Sequence, residues 1–187
     1  MMHKRKLEEY ADMHKAKRAR VEVPPPCFLV IQGIEIPIGQ PRQHRATQYY
    51  IWGPPGIGKS TIIIELTNRN YRGFALPYNG HWEDWSDESY DFAYGDEFSG
   101  QVKITELNQW LAGDLMTLAC RYKNRLKRRN VTTLILSNLP LEEQYKNVPE
   151  VLRQALATRL TQITSNEFIQ TTFKMVTPVE TQTTTTQ

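Results

Sequence analysis

Residues 48–64 read "QYYIWGPPGIGKSTIII", a β-forming run, a glycine-rich turn and an apolar run in immediate succession. The turn comprises Gly53, Pro54, Pro55, Gly56, Ile57, Gly58, Lys59, Ser60 and Thr61, and its spacing fits G-x-x-x-x-G-K-[ST]. Glycines let the backbone turn its N–H groups toward an anion, since no Cβ restricts the dihedrals or blocks the approach. Lys59 can then reach the β- and γ-phosphates of a bound nucleotide, and the Ser60 hydroxyl can join the shell of a Mg²⁺ ion. A helix starting at this point adds the positive end of its dipole. "QYYIW" is rich in β-formers and "GKSTIIIELTN" reads as a helix start, so strand, loop and helix follow in order. The bland alternative is a Pro-Gly turn with an incidental Lys-Ser pair.

The segments downstream alternate in type. A short strand is expected near Phe74, then a polar, aromatic loop "YNGHWEDWSDES", then a strand in "YDFAYGDEF". "ITELNQWLAG" reads as a helix with Ile104, Leu107, Trp110 and Leu111 on one side, stopped by Gly113. "TTLILSN" has the character of a buried strand, with Pro140 just beyond. "VPEVLRQALATRL" is a helix with proline at its first turn and Val151, Leu152, Ala155, Leu156 and Leu160 on its apolar face. Strands alternating with helices around a phosphate loop predict an α/β fold with a mostly parallel central sheet flanked by helices. Residues 1–45, with their charges and the prolines of "VEVPPP", read as a basic arm and linker. Residues 46–176 form the domain, and the Thr/Gln-rich 177–187 a disordered tail.

Net charge is +3, too small to indicate nucleic acid by itself, but basic residues gather near the N-terminus and at 121–129 while 83–97 is acidic. Cys27 and Cys120 are far apart and outside any metal-ligand spacing, consistent with a reducing compartment. No apolar run approaches a membrane span, and the charged N-terminus lacks a signal-peptide core. The expectation is a soluble protein of the cytoplasm or nucleus. Lys4-Arg5 followed by Lys17-Arg18-Ala19-Arg20 has the look of a bipartite nuclear import signal or, equally, of a basic DNA-binding arm.

Hydrolysis of a nucleotide needs acids at the end of another strand. Asp96 and Glu97 supply them after "DFAYG": one carboxylate can hold the metal shell while the next orients and deprotonates the attacking water. Asn138 ends the apolar strand, where open α/β sheets place their ligands, and can sense the γ-phosphate or position water. Asn before Leu-Pro is also a good turn residue.

"GPPGIGKST", "DEFSG", "LNQWL" and "LILSN" together resemble the superfamily 3 helicase domain of the replication-initiator (Rep) proteins of small circular single-stranded DNA viruses, over residues 46–165. The resemblance implies a P-loop, AAA+-like ATPase using ATP and Mg²⁺, with Gly53 to Thr61 as Walker A and Asp96 and Glu97 as Walker B. Asn138 becomes the sensor of motif C, and 116–130 the segment of a DNA-contacting hairpin. It further implies rolling-circle replication on single-stranded DNA, and a homo-oligomeric ring, usually a hexamer, that hydrolyses ATP between subunits; the bipartite basic signal is what points to the host nucleus. Arg159, with Arg153 in reserve, is then the arginine that reaches a neighbour's ATP. An RNA helicase-like viral ATPase and a non-catalytic, nucleotide-dependent binding module are the alternatives.

Within "CRYKNRLKRRN", Arg121, Lys123, Arg125 and Lys127 alternate, which on a strand puts them on one side. Such a row can follow phosphates without reading sequence, and Tyr122 can stack on a base. Arg121, Tyr122, Lys123 and Lys127 are the expected nucleic-acid contacts. Two departures from the family stand out. The Lys-Gly turn of many members is replaced by Tyr122-Lys123-Asn124, and the endonuclease motifs, His-x-His or His-x-Gln with Tyr-x-x-Lys, are missing from this sequence. Nicking and joining are therefore expected only from a domain on another chain, and the polypeptide reads as a fragment, a separate exon or an integrated relic.

Overall fold

The computed structural model describes residues 22–177. The import-type signal of residues 4–20 and nearly all of the Thr/Gln tail lie outside them. In chain order the elements are β1 (Cys27–Ile31), β2 (Ile34–Ile38), β3 (Gln48–Trp52), α1 (Lys59–Asn68), β4 (Gly73–Ala75), β5 (Phe92–Gly95), α2 (Ile104–Ala112), β6 (Met116–Leu118), β7 (Arg125–Lys127), β8 (Thr132–Ser137), α3 (Glu150–Thr158), β9 (Leu160–Thr164) and β10 (Thr171–Met175).

The centre is a five-stranded parallel sheet in the order β4-β5-β8-β3-β9. Side chains alternate across β3. Tyr49 and Ile51 join Ile62 and Leu66 of α1 on one face, while Tyr50 joins Leu107, Trp110 and Leu111 of α2 and Leu156 of α3 on the other. The sheet is thus buried on both sides, which is why every residue of β8 is buried. The chain leaves β3 through α1 toward the β4 edge and leaves β8 through α3 toward the β9 edge. The two connections run apart on opposite faces, and a crevice opens at the carboxyl ends of β3 and β8.

Two features depart from the linear reading. Residues 27–38, grouped there with the arm, form a hairpin of β1 and β2 whose other side pairs with β10. Its two-residue turn, Gln32-Gly33, has φ of 50° and 77°, both left-handed, the geometry that matches strand twist in a tight hairpin. Leu29, Ile31, Ile36 and Ile38 are buried against the α1 side of the central sheet. The polar loop "YNGHWEDWSDES" carries core residues: Trp82 and Trp85 are buried, Trp82 stacking on Trp110 at 4.9 Å and Trp85 meeting Phe74 edge-on at 5.2 Å. In α3, Leu152 and Leu156 pack inward but Val151 is exposed, because the helix presents only a narrow stripe to α2.

Candidate functional site

Gly53 closes β3 and Gly58 opens α1. Gly58 has φ of 88°, a left-handed conformation that lets the loop turn back on itself before the helix begins. Gly53 is required for another reason, since a Cβ there would lie 2.1 Å from the Ser165 carbonyl oxygen. The segment after β9 is pressed against the loop, with the Ser165 N–H donating to the Trp52 carbonyl at 3.2 Å and the Ile169 N–H to the Ile57 carbonyl at 2.8 Å.

Lys59 is almost fully buried and its ammonium donates to the Gly53 and Pro54 carbonyls at 2.8 and 2.7 Å. Two of its three N–H groups are thereby used within the loop. Burial pushes its pKa below the ordinary lysine range, and the Asp96 carboxylate partly offsets this. One residue on, Ser60 Oγ donates to Asp96 Oδ1 at 2.9 Å, joining the start of α1 to the end of β5. The same carboxylate oxygen accepts the Glu97 N–H at 3.0 Å. Glu97 itself sits at φ 48°, a conformation uncommon for a residue with a side chain, and Gln101 Nε2 donates to its carbonyl at 2.9 Å.

These groups line one cleft of about 320 Å³ together with Asn138 and Phe168. Asp96 and Glu97 also border a second cleft, lined in part by Tyr78, whose hydroxyl donates to the Asp96 carbonyl. Burial raises the Tyr78 pKa, and the charges of Asp96 and Glu97 raise it further. The structure therefore brings Lys59, Ser60, Asp96, Glu97 and Asn138 together from three strand ends. Phe168 has no counterpart in the sequence reading. Its cue, a lone phenylalanine in the polar stretch "TSNEFIQ", says nothing of the loop it meets.

Arg159 and Arg153 are elsewhere. The Arg159 guanidinium donates to the Ala155 carbonyl of its own helix. Arg153 bonds Glu150 at 3.1 Å and the Glu142 carbonyl at 2.9 Å.

The basic segment forms the antiparallel β6–β7 hairpin. Its alternating row is not a row of free cations. Strand alternation turns Arg125 and Lys127 inward while Leu126 is exposed. Arg125 donates to the Trp85 carbonyl at 2.9 Å. Lys127 is fully buried, so it is not a nucleic-acid contact in this structure as the sequence reading expected. Arg121 pairs with Glu83 at 3.4 Å, and Asp87 accepts the backbone N–H groups of Arg128 and Arg129. The acidic loop thus lies against the basic segment. At the hairpin tip Tyr122 and Lys123 are exposed, Tyr122 almost completely.

No family model matches this sequence, and no curated protein is significantly similar to it. Among solved structures, the chain is similar to NtrX from Brucella abortus, crystallised in complex with ADP. Identity is 14% and the TM-score 0.41, over 64% of this chain and 32% of that one, so the chain spans about a third of NtrX. No described helix is long and apolar enough to cross a membrane.

Proposed function

We propose that this chain is a P-loop ATPase of the superfamily 3 helicase type that acts on single-stranded DNA, hydrolysing ATP with Mg²⁺. The observation that carries the reading is the 2.9 Å bond between Ser60 Oγ and Asp96 Oδ1, which joins the phosphate-loop motif to an acidic pair in a single cleft. A hydroxyl and a carboxylate are hard oxygen donors that suit Mg²⁺. When bound there, the ion neutralises charge on the phosphate oxygens.

The protein's own groups have separate tasks. Backbone N–H groups of Gly56 to Ser60 and the Lys59 ammonium hold the phosphates. Asp96 is held by Ser60 and by the Glu97 N–H, which leaves the neighbouring Glu97 carboxylate to orient the attacking water and take its proton. Asn138, just after the strand that lies between those of the loop and the acids, positions that water or the terminal phosphate. The exposed Tyr122 and Lys123 at the hairpin tip support a contact to single-stranded nucleic acid. In a ring of subunits, Arg159 of one subunit reaches the ATP of the next.

The test is ATP turnover measured alone, with single-stranded DNA and with single-stranded RNA. Turnover stimulated by DNA supports the reading. Stimulation by RNA alone favours the RNA helicase-like alternative, and nucleotide binding without turnover favours a binding module.

A further inference from the structure

The carboxyl ends of the strands fall in the spatial order β5, β8, β3, β9, so the residues that follow them line the crevice in the same order: Asp96 and Glu97, Asn138, the phosphate loop, then Phe168. The strands that end at the acidic pair and ahead of Phe168 are three spacings, about 14 Å, apart, so the two lie on opposite sides of the loop. If the acids take the terminal phosphate, the remainder of the nucleotide extends over the loop toward Phe168.

The character of Phe168 fits that end. It is 63% exposed, although its neighbour Ile169 is buried. Its ring lies over the loop, within 2.8 Å of where a Cβ on Gly58 would stand. The backbone around it is fixed by the Ile169 N–H on the Ile57 carbonyl at 2.8 Å and by the Ser165 N–H on the Trp52 carbonyl at 3.2 Å. Next to it, Ser165 and Glu167 are bonded to each other, the Ser165 hydroxyl donating to the Glu167 carbonyl at 2.7 Å. A rigidly mounted, exposed aromatic face beside a phosphate loop is suited to one part of a nucleotide, the planar base.

We infer that Phe168 is the base-binding residue of this site, holding the nucleobase by stacking. Stacking accepts any base because each has a π-face. The inference rests on the phosphate-binding reading above, and the experiment separates the two. Binding of ATP and of inorganic tripolyphosphate, which has the phosphates but no base, is measured by calorimetry for the parent, Phe168→Ala, Phe168→Leu and Phe168→Trp. Phe168→Ala and Phe168→Leu are expected to weaken ATP binding about tenfold and to leave tripolyphosphate binding unchanged, while Phe168→Trp keeps the parental ATP affinity. Equal losses for both ligands would mean that Phe168 only shapes the loop, and an unchanged ATP affinity would mean that it does not touch the base. Either outcome overturns the inference while leaving the phosphate site intact. Failure of the parent to bind either ligand overturns both.

Discussion

Lys127 Nζ lies 4.6 Å from the centre of the Trp110 ring, fully buried and without a hydrogen-bond partner among the described residues. An ammonium in that position is held by the ring's negative face and by the more distant charges of Asp87 and Asp114. Desolvation outweighs both and pushes its pKa down from 10.5 to about 8. The residue expected to grip DNA is instead buried, anchoring the hairpin on the aromatic core.

Lys127→Met should therefore stabilise the protein. A shift of this size corresponds to about 3 kcal/mol against the charged form at neutral pH, so chemical denaturation at pH 7 is expected to show higher stability for the Met variant. The sign of the pH dependence follows. The unfolded chain holds this proton up to pH 10.5 and the folded chain only up to about 8, so parental stability should rise from pH 8 toward 10.5 relative to the Met variant. A constant difference across that range would mean that Lys127 keeps the pKa of the unfolded chain and is solvated rather than buried.

At the hairpin tip the outcome should be the reverse. Lys123→Ala is expected to weaken single-stranded DNA binding for all sequences alike and to reduce the salt slope by about one, without changing stability or ATP affinity. Lys127→Met should leave DNA affinity unaltered. Fluorescence anisotropy at several salt concentrations measures both, and equal DNA affinity in Lys123→Ala and the parent would return the tip to an ordinary solvated surface.

In the cleft, Lys59→Ala and Glu97→Gln should fail differently. Removing the loop ammonium is expected to weaken ATP binding about 10- to 100-fold, the value of a hydrogen bond to a charged group. Glu97→Gln keeps the ligand-binding groups and removes only the base, so ATP should bind nearly as before while turnover drops about 10²- to 10⁴-fold. Calorimetry and steady-state hydrolysis distinguish the two, and a Glu97→Gln protein that turns over at the parental rate would remove Glu97 from the chemistry.

Arg159 bonds its own helix and does not line the cleft of its own chain. In a ring, Arg159→Ala should bind ATP normally and hydrolyse it about 10³-fold more slowly. Mixing it with Lys59→Ala should restore part of the activity, since one interface then combines an intact loop with an intact arginine. Full activity of Arg159→Ala alone would exclude the residue, and a mixture that stays inactive would count against catalysis between subunits.

The local elements were legible from the residues alone. Glycine spacing with Lys59 and Ser60 specifies a tight turn between a strand and a helix, and short apolar runs bounded by turns specify buried strands, because these choices depend on neighbours in the chain. The α/β character and the parallel sheet follow from that alternation. Asp96, Glu97 and Asn138 were found because they end such runs.

Only tertiary structure decided the rest. Period-two alternation puts Arg125 and Lys127 on one side of a strand, but which side faces water depends on what packs against it, and here Trp110 and the Trp85 loop do. The hairpin of residues 27–38 joins the fold because its outer edge pairs with residues 171–175 at the far end of the described chain. Phe168 reaches the glycine-rich loop for a similar reason: β9 pairs with β3 in parallel register, which carries the residues after β9 to the same end of the sheet as Gly53. Sequence order sets what each segment prefers, whereas hydrogen bonding between strands far apart in the chain sets which segments meet.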